Sequence, residues 1–125
     1  MPDLFTVQGW CPTAWRPMRA QDGWLVRVRP PLASLRVAQW QRLAELAESH
    51  ALPQIELTRL GNVQLRGVAE ADLPALREAM IRAQLVPHEA DDDLAPPVHC
   101  TPFYGAGDAT HGLARRLSEA VTQQL

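Results

Sequence analysis

Apolar positions along this chain follow two rhythms. From Trp24 to Arg29 they alternate. Trp24, Val26 and Val28 fall on one side and Leu25, Arg27 and Arg29 on the other, the period of a β-strand. Pro30-Pro31 ends the run, because proline has no N–H to give to a ladder. Over residues 35–50 the spacing changes. Trp40, Leu43, Ala44 and Ala47 recur at i, i+3, i+4 and i+7, which predicts a helix with one buried stripe, closed by Ala51-Leu52-Pro53. Ile55 with Leu57, and Val63 with Leu65, mark two short strands. Thr58–Asn62 joins them as a hairpin loop in which Gly61 is free to take a positive φ. A second helix is predicted over about residues 71–84, with Asp72 as candidate N-cap and Pro74 in the first turn. Leu73, Leu76, Met80 and Ala83 form its apolar stripe, and Leu85-Val86 is the expected start of a fourth strand.

The flanks read differently. Residues 1–22 are an irregular arm punctuated by Pro2, Pro12 and Pro17, and Gln21-Asp22-Gly23 reads as a turn. Residues 23–87 hold the regular elements. Residues 88–97 form an acidic, proline-bearing linker around Asp91-Asp92-Asp93, expected to be mobile. Residues 98–125 are a strand-helix extension. It comprises Val98–Phe103 and a last helix capped by Asp108 or Thr110, with Leu113, Leu117 and Val121 on one face. The resulting order β-α-β-β-α-β predicts an α+β, ferredoxin-like half-domain. Both helices would cover one face of an antiparallel sheet. The other face would carry Arg27 and Arg29, joined by Gln64 and Arg66, and an uncovered face of this kind usually has a partner or ligand.

Composition narrows the classes. A chain of 125 residues suits one domain that needs no disulfide framework. It has no apolar run near the ~20 residues that span a bilayer, and no basic-then-apolar leader. Cys11 and Cys100 lie far apart, which fits a reduced, cytoplasmic protein with no membrane partner. The net charge of −2 is uneven: residues 1–66 carry eight arginines against five acids, and residues 67–125 four against nine. There is no lysine. Arginine's planar fork binds carboxylates in bidentate fashion, so the basic half suits a polycarboxylate. The acidic overall balance and the lack of a basic stripe argue against nucleic acid.

Other constellations carry less. His88, His99, Cys100 and His111 match no zinc spacing. Gly105-Ala106-Gly107-Asp108 before a helix resembles an anion-binding turn but reads better as a flexible loop. Trp24 and Trp40 fit the core, while Trp10 and Trp15 lie in the arm and pack by default on the domain. There is no nucleophile elbow, P-loop or ordered Ser-His-Asp set, so no catalytic residue is assigned.

Three stretches carry a family resemblance: Gly23–Pro30, with D-G-x-L-V-R-x-R-P from Asp22; Ile55–Val68, with G-N-x-Q-L-R-G at 61–67; and Asp72–Leu85. Together they resemble the ferredoxin-like half-domain of siroheme-dependent sulfite and nitrite reductases. The similarity is closest to the precorrin-3B synthase branch, whose pattern also resembles Trp10-Cys11-Pro12. It covers about residues 9–86. In the reductases the Thr-x-Arg-x-x-x-Gln segment helps bind siroheme carboxylates near a four-iron cluster. In the synthase the tetrapyrrole is the substrate, hydroxylated and lactonised with oxygen in cobalamin biosynthesis. The resemblance therefore implies tetrapyrrole binding by Arg27, Arg29, Thr58, Gln64 and Arg66. Arg66 stands where the reductases usually carry His and the synthase branch carries Arg. Leu60 stands at the Arg of Thr-x-Arg. Glu56 stands where many reductases carry another Arg, and an acid there repels a ligand carboxylate.

A four-iron cluster needs four thiolates, and this sequence has two cysteines, with Cys11 expected to be a buried or half-buried thiol. A cluster, with siroheme or iron, is thus expected only of a full-length family enzyme. The chain reads as one half of an oxidoreductase site, inactive alone and completed by a second half-domain. The alternatives are a half-domain of a siroheme reductase, or a stand-alone binding module that dimerises through its open sheet face.

Overall fold

The computed structural model describes residues 11–103, 105 and 107–123, and Trp10 lies outside them. Four strands, β1 (Met18–Ala20), β2 (Gly23–Val28), β3 (Glu56–Leu57) and β4 (Val63–Val68), form one antiparallel sheet in the order β1-β2-β4-β3. Helices α1 (Val37–His50) and α2 (Leu73–Arg82) follow β2 and β4, with a short turn α3 (Ala90–Asp93) and a longer α4 (Ala109–Gln123) after them. This is the α+β, ferredoxin-like half-domain that the alternation and helix spacing predict.

The core lies between the sheet and α1 and α2. Val26, Val28, Val63, Leu65 and Val68 meet Leu43, Leu46 and Ala47 of α1 and Leu76, Ala79 and Met80 of α2. Val28, Leu43, Leu65, Val68, Leu76 and Met80 have essentially no exposed surface. Each large apolar side chain so buried stabilises the fold by roughly 1.5–3 kcal/mol. The buried stripe of α1 is turned relative to the expected one. Leu46 takes the place of Ala44, and Trp40 sits at the rim, 38% exposed.

Two elements differ from the expected strands. Leu85-Val86 is buried but does not pair, because the end of α2 uses it for a cap. Gln84 takes φ 59, its N–H donates to the Ile81 carbonyl at 3.0 Å, and the Leu85 N–H reaches back to Met80 at 2.9 Å. That is the Schellman pattern, and Pro87 follows it. The fourth strand comes instead from β1, which the two-residue turn Gln21-Asp22 folds onto β2 with Ala20 opposite Gly23. Val98–Phe103 forms no strand among the described residues.

The register of β2 against β4 slips once. Val26 faces Leu65 and Trp24 faces Val68, so Arg66 and Gly67 together oppose Leu25. This is a β-bulge, and Gly67 takes φ 70 to make it. It returns Val68, three residues after Leu65, to the buried face. A Cβ on Gly67 would lie 2.6 Å from Leu52 Cγ.

Residues 88–97, expected to be mobile, are tied to the domain through Asp93 and Ala95, and Pro87 just before them is held as well. Trp15 Nε1–H donates to the Pro87 carbonyl at 2.9 Å, and the Trp15 N–H donates to Asp93 Oδ2 at 3.2 Å. Asp93 is 3% exposed. The Arg77 guanidinium lies 4.3 Å from the centroid of the Trp15 ring, in cation–π geometry. Cys11, expected to be buried or half-buried, is exposed.

Candidate functional site

The face of the sheet turned away from α1 and α2 carries a polar relay. Arg27 donates from Nε and Nη2 to Gln64 Oε1, at 3.1 and 3.0 Å. Gln64 Nε2 donates to Glu56 Oε1 at 3.0 Å. The same carboxylate oxygen accepts from Arg66 Nε at 2.5 Å. Asp22 Oδ1 lies 3.8 Å from Arg66 Nη1, too far for more than a loose ion pair. Local geometry produces this set. Arg27 and Gln64 are direct partners across β2 and β4, and Glu56 and Gln64 are partners across β3 and β4, which puts three side chains in one row. The bulge sets Arg66 just beyond them.

Glu56, Arg27, Gln64 and Arg66 are all partly exposed. The Glu56 carboxyl is held below the usual carboxylate range, first by the Gln64 hydrogen bond and then by the Arg66 hydrogen bond and charge, with burial opposing both. The row holds two cationic forks, one carboxamide and one ionised acid. It can bind and orient an anion.

Sequence reading nominated five residues, and the structure brings three of them together: Arg27, Gln64 and Arg66. Arg29 is engaged elsewhere. Its two terminal nitrogens donate to the carbonyls of Asp93 and, at 2.8 Å, Ala95, so it fastens residues 93–95 to the end of β2. Thr58 closes the hairpin loop. Its Oγ1 accepts from the Asn62 N–H at 3.1 Å, its N–H donates to the Asn62 carbonyl at 2.9 Å, and its carbonyl accepts from the Gly61 N–H at 3.1 Å. Gly61 has φ 77, as that loop requires. Leu60 is exposed at the tip, and its carbonyl accepts from His99 Nε2–H at 2.9 Å.

In the sequence Glu56 reads as a repelling charge; the structure bonds it to Gln64 and Arg66. A signal for these bonds exists: in a hairpin centred on Leu60, position 56 must face position 64.

Elsewhere the chemistry is thinner. Among the described residues no three His, Cys, Asp or Glu side chains converge to hold a metal ion. With one exposed and one half-buried cysteine, the residues present do not fit a four-thiolate cluster. The N-terminus of α4 is filled by its own cap: Asp108 Oδ1 accepts from Thr110 N–H at 2.8 Å and His111 N–H at 3.4 Å. No helix among the described residues is long and apolar enough to cross a membrane.

Residues 16–83, from the residue before Pro17 to the end of α2, match the model of the nitrite/sulfite reductase ferredoxin-like half domain. The chain belongs to that family. This chain is also 40% identical over 91 residues to a precorrin-3B synthase from Sinorhizobium sp., an alignment covering 73% of this chain and 20% of the relative. It therefore spans about one fifth of the length of the curated relative it matches.

Proposed function

We propose that this half-domain forms one wall of a polycarboxylate tetrapyrrole site in a precorrin-3B synthase-like oxidoreductase. Arg27, Gln64 and Arg66 are its carboxylate-binding groups. The observation that carries this reading is the row itself: two guanidiniums and a carboxamide converge on the sheet face opposite the helices. Precorrins and siroheme both carry several peripheral carboxylates, and bidentate arginine is the side chain best shaped to hold them. The 40% identity to a precorrin-3B synthase supports the synthase over a sulfite or nitrite reductase. The arginine at position 66, where the resemblance puts His in the reductases, points the same way. These residues bind and orient. None has the environment of a nucleophile or general base, and the ring chemistry is assigned to groups outside this row.

The test is titration of the 125-residue chain with uroporphyrin, an octacarboxylate tetrapyrrole, followed by porphyrin absorbance and tryptophan quenching. Saturable binding is expected. Arg27→Ala and Arg66→Ala should each weaken it about tenfold, the loss of a charge-assisted contact. Unchanged binding in both variants would sink the assignment.

A further inference from the structure

Glu56 occupies the donors that a ligand would need. Its Oε1 takes the Gln64 Nε2–H at 3.0 Å and the Arg66 Nε–H at 2.5 Å, and Gln64 also accepts from Arg27 in the same row. A carboxylate in this position has the charge, shape and hydrogen-bond demand of the ligand group proposed for the site. We infer that Glu56 is an internal stand-in for one ligand carboxylate, and that an anion reaches Gln64 and Arg66 only by exchanging with it. This rests on reading the row as an anion site and adds a selection rule to it.

Three features allow the exchange. The backbone of Glu56 stays paired at Glu56–Gln64 and Leu57–Val63, so the exchange needs only its side chain to turn. Its side chain is 36% exposed, which gives it somewhere to go. Arg27 contacts Gln64 and not Glu56, so it stays available as an anchor while the exchange occurs. The consequence is selectivity by number of carboxylates. A monocarboxylate competes with a tethered carboxylate at high effective concentration and loses. A polycarboxylate holds Arg27 with one group and displaces Glu56 with another. The groups facing Glu56 are Gln64 and Arg66 from β4, with Arg27 of β2 behind Gln64 and Asp22 of the β1–β2 turn beside Arg66.

The experiment uses the 125-residue chain with citrate as probe, following the Arg66 Nε–H resonance by NMR. In Glu56→Gln and Glu56→Ala, citrate affinity at Arg66 should rise about five- to tenfold over the wild type, the worth of a half-exposed ion pair with a charge-assisted hydrogen bond. Acetate should bind the variants measurably and the wild type hardly at all. Equal citrate affinity in wild type and both variants, with melting temperatures showing all three folded, overturns the inference. A citrate gain without uroporphyrin binding by any of the three supports the exchange and sinks the tetrapyrrole reading, so the two fail separately.

Discussion

The bulge at Gly67 makes a quantitative prediction when Gly67→Ala is set beside Gly112→Ala. Gly67 has φ 70, where a Cβ costs about 1–2 kcal/mol, and that Cβ would stand 2.6 Å from Leu52 Cγ. Leu52 is 40% exposed and can rotate away, at the loss of roughly 0.5–1 kcal/mol of apolar burial. Lower entropy of the unfolded chain returns about 0.4–1 kcal/mol. The balance is a destabilisation of about 1–2 kcal/mol. At an unfolding entropy of about 2.1 cal/mol/K per residue, a chain of 125 residues should then melt about 4–8 °C lower. Gly112 lies inside α4, where a Cβ would meet nothing within 4 Å beyond its chain neighbours and its own helix backbone. The same substitution there removes helical glycine and should stabilise α4 by about 0.5–1 kcal/mol. Circular dichroism melts and urea midpoints measure both. A Gly67→Ala protein as stable as the wild type would refute the bulge geometry, and so would a shift of the same sign and size in both variants.

Further outcomes follow from the contacts of Arg29 and Glu56. Arg29→Ala removes both donors holding the Asp93 and Ala95 carbonyls, so thermolysin should cut at Leu94 about tenfold faster, while an unchanged rate would show that Arg29 does not fasten the segment. The pKa of the Glu56 carboxyl is lowered in the folded state, so its contribution is full above the unfolded-state value of about 4.3 and is lost as pH falls through the folded value. Urea midpoints of wild type and Glu56→Gln should therefore differ at neutral pH and converge under acid, and a gap independent of pH would remove Glu56 from the account.

Much of this fold was legible because local rules and tertiary packing agree. The alternation through Trp24–Val28, the breaks at Pro30 and Pro53, and Pro74 in the first turn of α2 each act over a few residues, and each holds. The misses lie where a short signal had two uses. Leu85-Val86 is apolar enough for a strand, yet Gln84 adopts a left-handed conformation and spends the next backbone group on the helix cap. Met18–Ala20 has too few residues to show a period, and only the turn before Gly23 marked it. Asp72 reads as an N-cap, but the helical turn Glu70–Asp72 takes it into α-like geometry, and its carboxylate lies 3.9 Å from His50. In the candidate site, the shared sheet face of Arg27, Gln64 and Arg66 was legible from strand parity. The diversion of Arg29 to residues 93–95 was not, because those contacts span more than 60 residues and no periodicity encodes them.

The sheet ends in strands of three and two residues, β1 and β3. An incoming strand would find only a few free backbone donors and acceptors on either margin, too few to template a longer ladder. Assembly by strand addition is thus disfavoured at both margins. Recognition on the polar face, as proposed above, would therefore run through the side chains of Arg27, Gln64 and Arg66 rather than through backbone pairing at an edge.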